Sequence, residues 1–187
     1  PATSYKWARP WKCSLANFMS FLRPASLLLA VLALVGCNTD KVTHIASIYV
    51  EAPPSSTLTM RKNVQLPVSG LTIPIMTKEL TLAEELLSTT VIEAGPSDLR
   101  QVYLLVHVNT TAARTIMDIT REARGKNLVL IVNEAAVGIM HIDHQINDGK
   151  LMFAVEQKGM SSREAALFLS DNLNASMVII RKELEQK

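Results

Sequence analysis

Residues 101–132 read QVYLLVHVNTTAARTIMDITREARGKNLVLIV, and the changes of period within them decide the fold class. Gln101 to Val108 is a nearly continuous apolar run, rich in branched and aromatic residues. It predicts a central strand covered on both faces. From Thr110 to Arg124 the period becomes helical. Ala112, Ala113, Ile116, Ile119, Thr120 and Ala123 form one stripe, while Arg114, Asp118, Arg121 and Glu122 face away. Arg114 and Asp118 stand one turn apart, a pairing worth about 0.2–0.5 kcal/mol. Gly125 is the expected stop, and Leu128 to Val132 reads as a second buried strand.

Further elements flank this stretch on both sides. Toward the C-terminus, Val137 to His144 is a third strand, reached through an Asn133-Glu134 turn. Asn147-Asp148-Gly149 is a tight turn into Leu151 to Glu156. Ser161 to Glu164 matches a capping box, opening a helix with Ala165, Phe168, Leu169 and Leu173 on one side. Ala175 to Ile180 suits either a last strand or an extension of that helix, and Arg181 to Lys187 is a solvated charged end. Toward the N-terminus, Thr89 to Ala94 is a strand before the Gly95-Pro96-Ser97-Asp98 turn. Thr81 to Leu87 predicts a short helix capped by Thr81, with Glu84 three residues on. Asn63 to Met76 has strand composition but is broken by Pro67, Gly70 and Pro74, which suits an open edge strand or an extended arm. His44 to Val50 is a further strand, ended by Pro53-Pro54.

Ahead of these elements lies Met19 to Cys37, MSFLRPASLLLAVLALVGC. Arg23 precedes an apolar core, and small residues follow, as in an export signal. The ending Leu34-Val35-Gly36-Cys37 resembles the lipobox of bacterial lipoproteins. That resemblance implies cleavage between Gly36 and Cys37, and diacylglycerol and N-acyl lipid on Cys37. The alternative is a buried helix or an uncleaved anchor, but the uninterrupted run is about half of the roughly 20 residues that span a bilayer. Residues 1–18, which hold Trp7 and Trp11, fit no part of this signal. They read as upstream read-through or an expression remnant, or else as a long basic leader. The expected organisation is thus 1–18 leader or remnant, 19–36 signal peptide, 37–80 tether and N-terminal strands or arm, and 81–187 a single α+β domain.

Composition narrows the function. Cleavage leaves 151 residues, enough for one core. It removes Lys6, Arg9, Lys12 and Arg23 and no acid, leaving 15 basic against 17 acidic residues. No basic patch remains for nucleic acid. Cys13 is lost and Cys37 lipidated, so no disulfide is expected.

Between Gln101 and Leu173 the chain also resembles the soluble head of SecD, the export-side accessory subunit of the bacterial Sec translocase. The matching segments are Tyr103 to Ala113, Gly125 to Asn133, the Ile146 to Gly149 turn, and Ser162 to Leu169. It is similar, too, to small Verrucomicrobia-type lipoproteins built on that head. The resemblance implies a ferredoxin-like α+β domain with a mainly antiparallel sheet and two helices. It also implies contact with unfolded, secreted or envelope proteins. SecD's transmembrane helices have no counterpart, and its "DG" hairpin reads Asn133-Glu134-Ala135-Ala136 here, so proton-driven translocation is not carried over.

No catalytic or metal constellation is expected, and no cofactor beyond the lipid. In His141-Ile142-Asp143-His144, a strand would put 141 and 143 on one face and 144 on the other, so these side chains cannot converge unaided. His107 is the distant residue that could join them. Glu84 and Glu85 read as a solvated face, no G-x-S-x-G elbow occurs, and Met117, Met140 and Met152 read as core filler. The expected function is a non-catalytic, lipid-anchored envelope protein facing the periplasm, sorted to the outer membrane because Asn38 follows the cysteine. It would bind protein through the open edge at Leu66, Ile73 and Ile75 and the hairpin at Asn133 and Glu134. A structural lipoprotein without a ligand and an envelope hydrolase are the alternatives.

Overall fold

The structure, a computed structural model, describes residues 42–96 and 98–186. It is α+β. Strands β1 (Ala46–Val50), β2 (Arg61–Gln65), β3 (Thr72–Met76), β4 (Leu86–Ala94), β5 (Gln101–Val108), β6 (Asn127–Val132), β7 (Ala135–His141) and β8 (Lys150–Val155) accompany two α-helices among the described residues. These are α1 (Thr110–Glu122) and α2 (Ser162–Glu185). Six strands form one sheet in the order β1-β6-β7-β8-β5-β4, and each pairing within it is antiparallel. A ferredoxin-like connection would place β5 and β6 parallel with one strand between them. Here two strands separate them and they run antiparallel, so α1 joins them by a different route. β1 pairs with β6 along its whole length, so the 37–80 segment contributes an edge strand to the main sheet.

Both helices contribute to one core on the front face of the sheet. Alternation on β5 sends Leu104, Val106 and Val108 into it, joined by Leu128 and Leu130 of β6 and Leu151, Phe153 and Val155 of β8. Ala112 and Ile116 enter from α1, and Ala165, Leu169 and Leu173 from α2. Asn109 caps α1, its side-chain oxygen accepting from the Ala112 N–H at 2.8 Å. On the exposed side Asp118 pairs with Arg121 at 3.7 Å rather than with Arg114. The Ser161–Glu164 capping box forms as predicted, and Ala175 to Ile180 continues α2. Asn174 of α2 blunts edge strand β4, its amide accepting from Thr89 N–H at 2.8 Å and donating to Thr89 O at 2.9 Å.

The back face is built differently. Asn63 to Met76 is not a single arm but contributes to a hairpin of β2 and β3. Its turn closes through Leu66 N–H to Leu71 O at 3.0 Å, with Gly70 at φ +68°. The hairpin buries Leu66, Ile73 and Ile75 against Tyr49, Val129, Ile131 and Ala136. It is tied at its tip by Glu156, which accepts from Val68 N–H (3.1 Å), Ser69 N–H (2.9 Å) and the Ser69 hydroxyl (3.1 Å). It is tied at its base by Ala52 N–H to Pro74 O at 2.8 Å. The helix expected over Thr81 to Leu87 shrinks to a 3-10 turn, Ala83–Glu85. Thr81 instead bridges Ile48 of β1, Glu85 rather than Glu84 accepts from the Leu82 N–H, and Leu86 and Leu87 join β4.

Candidate binding groove on the open half of the sheet

Because the hairpin packs over β1, β6 and β7, the β8-β5-β4 half of the back face lacks a second layer among the described residues. Alternation brings Ile92 of β4, Tyr103 and Leu105 of β5, and Met152 and Ala154 of β8 to that half. Met152 is 44% exposed. The continuous apolar run of β5 predicts cover on both faces, yet only the front is fully covered. An apolar strand face left bare is a candidate contact surface.

The bare half forms a trough of about 680 Å³, open along its length. Its floor includes Tyr103, Ile139, Met152 and Ala154. Gly95, Pro96 and Leu99, between β4 and β5, wall one side, and His141, Asp143 and His144 wall the other. A contiguous hollow of about 340 Å³ shares Met140, His144, Ile146 and Met152 and adds Ile92 and Leu105. Polar groups lie at the rim. Tyr103 donates its hydroxyl to Gln101 Oε1 at 2.7 Å. His141 Nδ1 lies 3.1 Å from Asn127 Oδ1, and its Nε2 lies 3.7 Å from Asp143. Asn127 is itself held by Glu51, which accepts from its side-chain amide at 2.6 Å and its backbone N–H at 3.0 Å. Apolar floor, adaptable methionines and hydrogen-bonding rims suit an extended polypeptide better than an enclosed small molecule.

The residues singled out from the sequence for protein contact fall elsewhere, whereas His141, Asp143 and His144 line the trough. Leu66, Ile73 and Ile75 do not form an open edge: they are 2%, 4% and 0% exposed, because the hairpin turns their side chains onto the sheet. Asn133 and Glu134 form the β6–β7 turn with φ of +48° and +68°, both positive as a type I′ turn requires. They border a shallow hollow of about 640 Å³ with Ile45, Tyr49 and Lys62. The Asn133 amide is already engaged within the fold, accepting from Ile45 N–H and donating to Thr43 O, both at 2.9 Å. Beside it Lys62 sits 4.4 Å above the Tyr49 ring. Burial and the neighbouring Glu79 push the Tyr49 hydroxyl pKa upward. β7 ends at His141, so Asp143 and His144 are loop residues, and no three metal-ligating side chains converge among the described residues. His107 sits opposite Lys150 in the β5–β8 register, with its Nε2 buried and without a hydrogen-bond partner. Gly36 and Cys37 lie outside the described residues.

Tyr103 and Ile139 were not read as contact residues, and Met152, expected as core filler, is instead exposed on the trough floor. One signal was available. Two helices can cover one face of a wide sheet, so apolar residues at successive positions of β5 and β8 imply a second face needing cover.

Comparisons with known proteins add a weak likeness. No family model matches the chain, and no curated protein matches it. Among solved structures it is similar to SecDF, a membrane component that enhances protein export, at 11% identity and TM-score 0.43, over 81% of this chain and 67% of that one. It is also similar to SecDF in a super-membrane-facing form, at 10% identity and TM-score 0.40. That match covers 86% of this chain and only 33% of the SecDF chain. No described helix is long and apolar enough to cross a membrane.

Proposed function

We propose that this chain is a non-catalytic protein-binding module of the bacterial cell envelope, held to the membrane by lipid on Cys37. Its binding surface is the open β8-β5-β4 half of the sheet. The observation that carries this reading is the trough on that half, with an apolar floor and a hydrogen-bonding rim. The partner is an extended segment of a secreted or envelope protein. Its apolar side chains would lie over Tyr103, Ile139 and Met152 while its polar groups meet Gln101, Asn127 and His141. A role in export or envelope assembly takes its direction from the sequence resemblance of residues 101–173 to the SecD head. The lipobox ending at Cys37 supports the periplasm-facing location, with the outer membrane as the expected destination.

The test is affinity capture from envelope extracts with the wild-type chain and with Met152→Glu. Met152 is exposed, so a charge there leaves folding intact while spoiling an apolar contact. Partners captured by the wild type and lost in the variant support the proposal. Equal capture by both would move the binding surface elsewhere.

A further inference from the structure

The histidine wall of the trough is set by a chain of hydrogen bonds that begins outside it. Asn127, the first residue of β6, stands opposite His141, the last residue of β7. Glu51, just past β1, accepts from the Asn127 side-chain amide at 2.6 Å and from its backbone N–H at 3.0 Å. Its own N–H donates to Asn127 O at 2.8 Å. An ionised carboxylate only accepts, so the Asn127 NH2 group faces Glu51 and its Oδ1 faces His141. That Oδ1 only accepts in turn, so His141 Nδ1, 3.1 Å away, carries the ring proton. In the neutral ring Nε2 therefore keeps its lone pair. It lies 3.7 Å from Asp143 Oδ1, and both side chains are exposed on the trough wall, 53% and 79%.

Two acceptors side by side, one of them fully charged, cannot satisfy each other, but one donor-rich cation between them satisfies both. We propose that His141 Nε2 and the Asp143 carboxylate form a subsite for a lysine ammonium or arginine guanidinium. The cation is carried by the extended segment whose apolar side chains lie over Tyr103, Ile139 and Met152. This inference rests on the reading of the trough as the binding surface, and it adds one requirement to the partner: a basic residue flanked by apolar ones. The stem of such a residue lies along an apolar floor while its charged head reaches the rim. An acidic residue at the same place would meet Asp143 with like charge. In the protonated ring Nε2 would pair with Asp143 itself, so the subsite belongs to the neutral ring.

Two measurements on the full chain test this. Imidazole nitrogen NMR at about pH 8, where histidine is ordinarily neutral, should show His141 as the Nδ1–H tautomer. An Nε2–H tautomer overturns this inference and leaves the trough reading standing. In the second, a random heptapeptide library displayed on phage is selected on the wild type, and the binders lost in Met152→Asn are kept. Those binders should carry Lys or Arg at one position among apolar residues. Replacing that residue by norleucine should weaken binding about two- to fivefold against the wild type and leave it unchanged against Asp143→Asn, a substitution at an exposed position. Trough-dependent binders without a basic position, or equal losses on both proteins, overturn this inference alone. A library that yields no trough-dependent binder overturns the trough reading and this inference together.

Discussion

The two halves of the back face carry similar side chains and meet different fates. Over β1, β6 and β7, the residues Tyr49, Val129, Ile131 and Ala136 are sealed by the chain's own hairpin, which inserts Leu66, Ile73 and Ile75. Over β8, β5 and β4, the residues Met152, Ala154, Tyr103, Leu105 and Ile92 have no such cover among the described residues. The difference lies in what the chain supplies above the sheet rather than in the sheet itself. A covered apolar face contributes to stability, whereas an uncovered one costs solvation and persists where something else occupies it. The hairpin thus also shows what chemistry this face accepts: an extended segment with alternating branched apolar side chains.

Substitution separates the halves most sharply. Ile75→Ala removes a fully buried side chain from beneath the hairpin and should lower the unfolding free energy by about 2–5 kcal/mol in denaturant titration. A loss below about 1 kcal/mol would mean the hairpin does not seal this half. Asn133→Ala comes next. It deletes two side-chain hydrogen bonds that fasten the start of β1, for an expected loss of about 1–3 kcal/mol. Glu134 runs the other way. Its φ of +68° costs a non-glycine residue about 1 kcal/mol, so Glu134→Gly should raise the melting temperature. An unchanged or lower value would show that the Glu134 side chain compensates for its backbone.

Glu156 gives the covered half a pH dependence. Partial burial pushes its carboxyl up, but hydrogen bonds from Ser69 and Val68 outweigh that and hold it below its ordinary value of 4.5. A group depressed on folding contributes stability that is full above the unfolded value and is lost as pH falls through the folded one. Hydrogen exchange of the 61–76 amides should therefore speed up below about pH 4.5 relative to the rest of the sheet, and Glu156→Gln should flatten that response. The smallest expected effect lies in the open half, where Met152→Ala should shift stability by about 0.5 kcal/mol or less while weakening partner capture.

The helix-face core was legible in the sequence because period changes are local signals. The run 101–108, the stripe from Ala112 to Ala123 and the Ser161 capping box each report on their own neighbourhood. What sequence reading lost was set by non-local pairing. Pro67 and Gly70 do break the strand, at the turn between Leu66 and Leu71, but Pro74 sits within β3, and the partner that buries Ile73 and Ile75 is more than fifty residues away at Val129 and Ile131. Thr81 looks like a helix cap but is fully buried against β1, where a bridge to Ile48 overrides its capping preference. Neither the antiparallel relation of β5 and β6 nor the bareness of Tyr103 and Met152 can be read from a single stretch, because both depend on strand order.

The most direct test places a photocrosslinking amino acid at Met152 in one chain and at Val68 in another, both in living cells. Both positions are exposed, Met152 on the bare half and Val68 at the hairpin tip on the sealed half. Discrete protein adducts are expected from position 152 and none above background from position 68. Adducts from 68 alone, or equal patterns from both, would contradict the claim that the open half of the sheet is where this protein works.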